Sequence, residues 1–245
     1  MVDSYSRVVK LGEGIVANGH LSMAAMERTK ESLRHCAEKI IKYPVTRSRF
    51  VATEACRRAS NTAEFVSDVK AEIGIELEVI SNEEEARLAL LGCCSLLERG
   101  IQRALAFDIG GGSTEVMWVE TPASYYTAED PQFPFIPETK GWLSIPNGVM
   151  SLSETMGDSA YSEMYFEEMV DTLMQYLIPL SKQHSIIEWI NRDATQLLST
   201  SGTVTTLAAI YLGLNRYDRA RVDGVKLSVK DLQKSIRSVL RMRPS

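Results

Sequence analysis

The stretch that decides the fold is "ALAFDIGGGSTEVMWV", residues 104–119. An apolar run carrying Asp108 near its end meets three consecutive glycines, Gly110, Gly111 and Gly112, and a second strand-like run follows. Strand, glycine turn and strand make a hairpin. A P-loop is excluded, because no "GK[ST]" is present and no helix follows the turn. An ordinary tight hairpin needs one or two glycines and seldom three. Successive glycines let backbone N–H groups converge on an anion with no Cβ in the way. Ser113 and Thr114 add hydroxyl donors, and Asp108 is suited to hold Mg²⁺ or to orient water through it, since magnesium takes few carboxylates and keeps several waters.

A second turn of this kind lies at "STSGTVTTLAA", residues 199–209. There a strand ends, Ser201, Gly202 and Thr203 turn the chain, and a helix begins with its free N–H groups pointing back, which is a ready anion site. For that segment taken alone, ordinary capping by Ser201 or Thr203 is an equal alternative. Two such turns at strand ends exceed what capping requires, and ligands of open α/β sheets collect outside strand ends.

Two carboxylate clusters also follow strands. "VATEACRRASN" sets Glu54 just after a strand, with Arg57 and Arg58 on the next helical turn, where one arginine shares its face. "ISNEEEARLA" sets Glu83, Glu84 and Glu85 at a helix start, where one is expected to serve the helix N-terminus and the others to be solvated. A glutamate in either place is positioned to take a proton from attacking water.

Composition bounds these readings. With 245 residues, 44% hydrophobic and 24% charged, the chain suits one large globular domain or two modest ones. No apolar run reaches the roughly 20 residues of a membrane span, and the first residues hold no signal-peptide core. A net charge of −5 argues against bulk nucleic-acid binding. Cys36, Cys56, Cys93 and Cys94 show no paired spacing; the adjacent Cys93 and Cys94 lie in a helical pattern and read as small buried side chains, and a reducing, cytoplasmic compartment is expected. His20, His35 and His184 are scattered without metal-ligand spacing, and Arg216, Arg219 and Arg221 read as a solvated loop before a substrate contact.

Along the chain, residues 7–16 read as a strand remnant and loop. Ser22 opens a helix with Met26, Thr29, Leu33, Cys36 and Ile40 on one face. Asn61 and Glu64 form a capping-box-like start for a helix with Phe65, Val69 and Ile73 inward, closed by Gly74. Ser81 and Glu84 repeat the signal for a helix carrying Leu90, Cys94 and Leu97. Strands at 49–53 and 76–80 alternate with these helices, which favours α/β architecture. Further on come a proline-rich insertion at 121–140, a strand at "GWLSIP", a helical stretch from 159 to 190 bent or broken at Pro179, and a last helix opened by Ser228 and Asp231. The boundary falls near Gly100, giving domains 1–102 and 103–245.

Four stretches, "VATEACRRASNTAEF" (51–65), "ISNEEEARLALLG" (80–92), "FDIGGGSTEV" (107–116) and "SGTVTTLAA" (201–209), together resemble the exopolyphosphatase/guanosine pentaphosphate phosphohydrolase (Ppx/GppA) family of the actin-like ATPase superfamily. The resemblance runs from about Leu11 to Arg243 and is weakest over 121–140. It implies an α/β fold of two ribonuclease-H-like domains flanking a cleft, and hydrolysis of a terminal phosphoanhydride by metal-assisted water attack. By resemblance, Glu54 and Glu85 match glutamates that activate water. Arg57, Gly110, Gly111, Gly112, Ser113, Ser201, Gly202 and Thr203 match phosphate contacts, and Asp108 matches a site for Mg²⁺ or another divalent cation.

Family members begin with a strand bearing an Asp-x-Gly-Ser-like first phosphate loop and continue past the last helix here, so the chain reads as truncated at both ends, its first domain without its N-terminal strands. The implied partner is polyphosphate or a guanosine polyphosphate, with no nucleic acid and no membrane, and a homodimer among the assemblies open to it. Two other functions stand beside hydrolysis: a phosphate-binding module that has lost catalysis, and an ATPase or kinase of the same superfamily.

Overall fold

A computed structural model describes residues 3–98, 100–122, 137–156, 163–192 and 195–241. The chain divides into two compact units, Met1–Glu85 and Ala86–Ser245.

In the first unit, α1 (Ile15–Asn18) is a single turn set between Gly14 and Gly19, both left-handed. Helix α2 (Met23–Ile41) opens at Ser22, whose hydroxyl accepts from the Ala25 amide at 3.2 Å. Strand β1 (Phe50–Ala52) leads into α3 (Glu54–Arg58), then α4 (Thr62–Ile73), which stops at left-handed Gly74. Strand β2 (Leu77–Val79) returns parallel to β1, with Phe50 opposite Leu77 and Ala52 opposite Val79. Helix α5 (Asn82–Cys93) begins where the Ser81 hydroxyl accepts from the Glu84 amide at 3.1 Å. Leu21, Cys56, Phe65, Val69 and Ile75 form the core, with Met26, Leu33 and Ala37 of α2 packed against it. Burying Phe65 and Val69 stabilises by roughly 1.5–3 kcal/mol each.

Three expectations are corrected here. Residues 7–16 hold no strand: the Val9 carbonyl accepts from Arg28 Nε at 3.0 Å, and Lys10 takes a positive φ of 48°. The inward stripe of α2 is Ala25, Met26, Leu33 and Ala37, while Cys36 and Ile40 stay part-exposed. Asn61 does not cap α4 with its side chain. Its Oδ1 accepts from the Leu21 amide at 2.8 Å and its Nδ2 donates to the Leu21 carbonyl at 3.0 Å, satisfying backbone groups that burial would otherwise orphan.

In the second unit, β3 (Arg103–Ile109), β4 (Thr114–Glu120), β5 (Glu138–Ile145) and β6 (Thr195–Thr200) form a four-stranded sheet ordered β5-β4-β3-β6. The β3–β4 and β4–β5 pairs are antiparallel and β3–β6 is parallel. Both faces of the central strands β3 and β4 are covered. Ala104, Ala106, Met117, Val119 and Leu198 meet Ala86, Leu90, Cys93 and Leu97 on one face. Val116, Trp118, Ile145, Leu105 and Phe107 pack with Leu180 and Ile186 on the other. Alternate residues of β3 and β4 therefore serve opposite cores, which explains their unbroken apolar runs, whereas Trp142 of β5 and Leu197 of β6 stay exposed.

The remaining helices are α6 (Val149–Met156), α7 (Glu163–Gln183), α8 (Ile186–Ile190), α9 (Gly202–Tyr211), α10 (Arg219–Val222) and α11 (Val229–Leu240). Helix α7 runs through Pro179, and the break falls at Ser185, with φ 51°. Packing of Leu173, Leu177 and Leu180 on the sheet outweighs the hydrogen bond that the proline removes. The insertion at 121–140 contains the start of β5 at Glu138, while its part at 123–136 lies outside the described residues. Among the described residues no helix is long and apolar enough to cross a membrane.

Candidate functional site

In the first unit, β1 and β2 run parallel, so the helices that follow them start at the same edge. That edge brings Glu54 and Glu85 to one guanidinium. Arg57 Nη2 donates to Glu54 Oε2 at 2.9 Å and to Glu85 Oε2 at 2.7 Å, Nε donates to Glu54 Oε2 at 3.2 Å, and Nη1 donates to the Ile80 carbonyl at 2.8 Å. A guanidinium carries five N–H donors, so one Nη1–H remains outside these four bonds. Both carboxylates are about one-sixth exposed, 16% for Glu54 and 17% for Glu85. Arg57 holds each through Oε2 alone, while Glu54 Oε1 lies 4.0 Å from Arg58 Nε. Glu84 is set apart from this cluster, since it takes Arg49 Nη1 at 2.7 Å while Arg49 also forks onto Glu78.

The second unit joins the two bends. Asp108 of β3 is the register partner of Thr200 in the parallel strand β6. The chain therefore leaves β3 into Gly110–Ser113, and leaves β6 into Ser201–Thr203, at the same end of the same sheet. In the glycine bend the Gly110 amide donates to the Ser113 carbonyl at 2.9 Å. Among the described residues, Gly111, Gly112 and Ser113 donate no backbone hydrogen bond. Ser113 is itself buried, at 2% exposure.

At the second bend Ser201 holds φ 121° and ψ 165°, a region that side-chain-bearing residues occupy only at a cost of about 1–3 kcal/mol. Its hydroxyl makes no capping bond, and its Oγ is buried without a partner among the described residues. Ordinary capping does not describe this residue. Strain of this kind concentrates at ligand clamps and switches.

Sequence reasoning missed two features. Glu115, fully buried at 0% exposure, stands directly across β3–β4 from Asp108 and on the same face. Ser144 of β5 is its partner on the other side and donates its hydroxyl to Glu115 Oε1 at 3.0 Å. Thr200, Asp108, Glu115 and Ser144 thus form a polar row closing one apolar face of the sheet. Hairpin register was the available signal, because a turn of four residues after Ile109 makes 108 and 115 partners. The second miss is α6, whose first amides donate to the glycine bend: Val149 to the Gly110 carbonyl at 3.0 Å and Met150 to the Gly111 carbonyl at 2.8 Å.

Other expected residues lie elsewhere. Cys93 and Cys94 are buried, and desolvation pushes the Cys93 thiol up to about 11, the behaviour of a packing cysteine. Arg219 pairs with Asp223 at 3.1 Å on the surface of α10. Among the described residues no three His, Cys, Asp or Glu side chains converge as a cage for a metal. Asp108 is a hard oxygen donor of the kind Mg²⁺ takes beside water and phosphate oxygens, whereas Glu115 is fully buried with its Oε1 held by Ser144.

The second unit is thus an α/β sheet with two bends, Gly110–Ser113 and Ser201–Thr203, at one end. Comparison with known proteins is specific: the sequence model of the Ppx/GppA phosphatase family matches residues 1–244. The chain belongs to that family. It is 29% identical over 219 residues to the guanosine-5'-triphosphate,3'-diphosphate pyrophosphatase of Aeromonas salmonicida (strain A449), a match covering 89% of this chain and 40% of that protein. The chain thus spans less than half the length of the curated relatives it matches. Among solved structures, an exopolyphosphatase-like protein superposes with a TM-score of 0.79 at 30% identity, covering 96% of this chain and 70% of that one. The Ppx/GppA family member from Aquifex aeolicus gives 0.65 at 29% identity, covering 96% and 69%.

Proposed function

We propose that this chain takes part in hydrolysing the terminal phosphoanhydride bond of inorganic polyphosphate, with guanosine pentaphosphate as the second substrate to test. The observation that carries the reading is the pairing of Asp108 with Thr200, which sets two bends side by side at one sheet end. Amides of Gly111, Gly112 and Ser113, together with those of Gly202 and Thr203, hold phosphoryl oxygens. They act as preorganised donors whose worth rises as charge develops on the transferring group.

Glu54 is the proposed base. Arg57 fixes its Oε2, and its Oε1 accepts a proton from the attacking water. Glu85, held by the same guanidinium, orients that water or takes the proton in its place. The remaining Nη1–H of Arg57 is directed to a phosphate oxygen. Asp108 would hold a divalent cation, which when bound neutralises charge on the phosphoryl oxygens.

Replacing Glu54 with Gln keeps shape and hydrogen bonding but removes the base. Phosphate release from polyphosphate should fall by about 10²–10⁴-fold, while calorimetric binding stays within about twofold of the parent. Undiminished turnover in Glu54→Gln would refute the assignment. A parent that binds polyphosphate without releasing phosphate selects a binding module, and ATP turnover above polyphosphate turnover selects a nucleotide-hydrolysing relative.

A further inference from the structure

The glycine bend is held from outside as well as by its own Gly110–Ser113 hydrogen bond. Its carbonyl side is taken up by the start of α6. The Gly110 carbonyl accepts from the Val149 amide at 3.0 Å, and the Gly111 carbonyl accepts from Met150 at 2.8 Å and Ser151 at 3.2 Å. A trans peptide is planar, with its C=O and N–H pointing in opposite directions. The Gly110 carbonyl shares a plane with the Gly111 amide, and the Gly111 carbonyl shares one with the Gly112 amide. Fixing those carbonyls toward α6 therefore turns the two amides away from it.

What allows α6 so close is Gly148. A Cβ placed there would stand 2.6 Å from the Gly110 oxygen, 2.6 Å from the Gly111 carbonyl carbon and 2.7 Å from the Gly111 oxygen, all backbone atoms that cannot rotate aside. Ser151 secures the same junction. Its Oγ accepts from the Gly148 amide at 2.8 Å and lies 3.1 Å from the Gly148 carbonyl and 3.5 Å from the Gly112 carbonyl, either of which takes its proton. Neither residue needs to touch an anion to matter.

We infer that Gly148 and Ser151 are positioning residues of the phosphate bend: the bare Gly148 and the Ser151 hydroxyl hold α6 on the carbonyls of Gly110 and Gly111, which aims the Gly111 and Gly112 amides at a condensed phosphate. This rests on the reading that the bend binds phosphate. The test is calorimetry of the full chain with inorganic tripolyphosphate and Mg²⁺, alongside amide NMR of Gly111 and Gly112. Gly148→Ala should weaken binding on the order of 10- to 100-fold, as expected for donors displaced by about 1 Å. Ser151→Ala should weaken it less and Ser151→Thr should restore it, with the two amide shifts moving and returning in step.

Thr121→Ala is the control, because the Thr121 hydroxyl bonds the Ile101 carbonyl at the far end of the sheet. It should lower Tm and leave affinity unchanged. If Gly148→Ala does not fold, the Ser151 pair decides. Folded Gly148→Ala and Ser151→Ala proteins with the parent's affinity and amide shifts would overturn the positioning role. A parent that ignores tripolyphosphate overturns instead the phosphate reading on which it rests.

Discussion

The two bends at the end of the second sheet solve one problem with opposite residues. The first is all glycine from 110 to 112, yet Gly110 and Gly111 lie outside the left-handed region that glycine alone enters freely. The second puts a serine, Ser201, at φ 121°, where glycine would be at ease. Glycine in the first bend is therefore about clearance. A Cβ on Gly110 would stand 3.1 Å from the Ser113 carbonyl oxygen, and the carbonyls of Gly110 and Gly111 accept from the first amides of α6. Serine in the second bend is about a hydroxyl held in a costly place. Glycine count alone is a poor guide to backbone strain, since the strained bend is the one that carries a side chain at the critical residue.

The largest stability effect that tests this contrast belongs to Ser201. Ser201→Gly removes strain of about 1–3 kcal/mol and adds back roughly 0.5–1 kcal/mol of chain entropy. It loses no hydrogen bond, because Oγ has no partner among the described residues. The net gain of about 1 kcal/mol should raise Tm by about 2–4 °C in a reversible melt. Ser201→Ala keeps the strain and should change Tm by less than that. Equal Tm shifts for the two variants would mean that strain is absent and the contrast false. If Ser201→Gly gains stability but loses tripolyphosphate affinity, the hydroxyl is what the strain is retained for.

How much of this was legible in sequence follows from the range of the contacts. The starts of α2, α5 and α11 were readable, because Ser22, Ser81 and Ser228 each cap an amide three residues on. The hairpin of β3 and β4 was readable for the same reason, as strand, turn and strand are contiguous. Expectations failed where a distant group took the local role. Asn61 left its own helix to serve Leu21, forty residues earlier in the chain. Helix α6 was missed because its N-terminal amides are satisfied by the distant carbonyls of Gly110 and Gly111, and Gly148 stands where a capping Ser, Thr, Asp or Asn would signal the start. In the candidate site, Glu54, Arg57 and Glu85 were named individually from their motifs. Their convergence on one guanidinium depends on the parallel pairing of β1 with β2, which periodicity does not encode. Glu115 was passed over as a strand residue, since burial of a carboxylate follows from its cross-strand neighbours and not from its own segment.

Gly111 offers the smallest change in stability and the cleanest separation of stability from binding. Its added Cβ would meet only Met150 Cγ, at 3.6 Å, an ordinary van der Waals contact, and its φ suits other residues. Gly111→Ala should therefore stabilise the fold by about 0.4–1 kcal/mol, chiefly by narrowing the unfolded ensemble. The same methyl group sits on the bend proposed to bind phosphate, so on that proposal tripolyphosphate affinity should fall although Tm rises. Opposite signs in the two measurements would establish that this glycine is kept for the ligand's approach and not for the chain's own conformation. A fall in Tm would show that clearance inside the protein is what requires it. A rise in Tm with unchanged affinity would move the phosphate contact off Gly111, leaving the Ser201 bend to carry the anion.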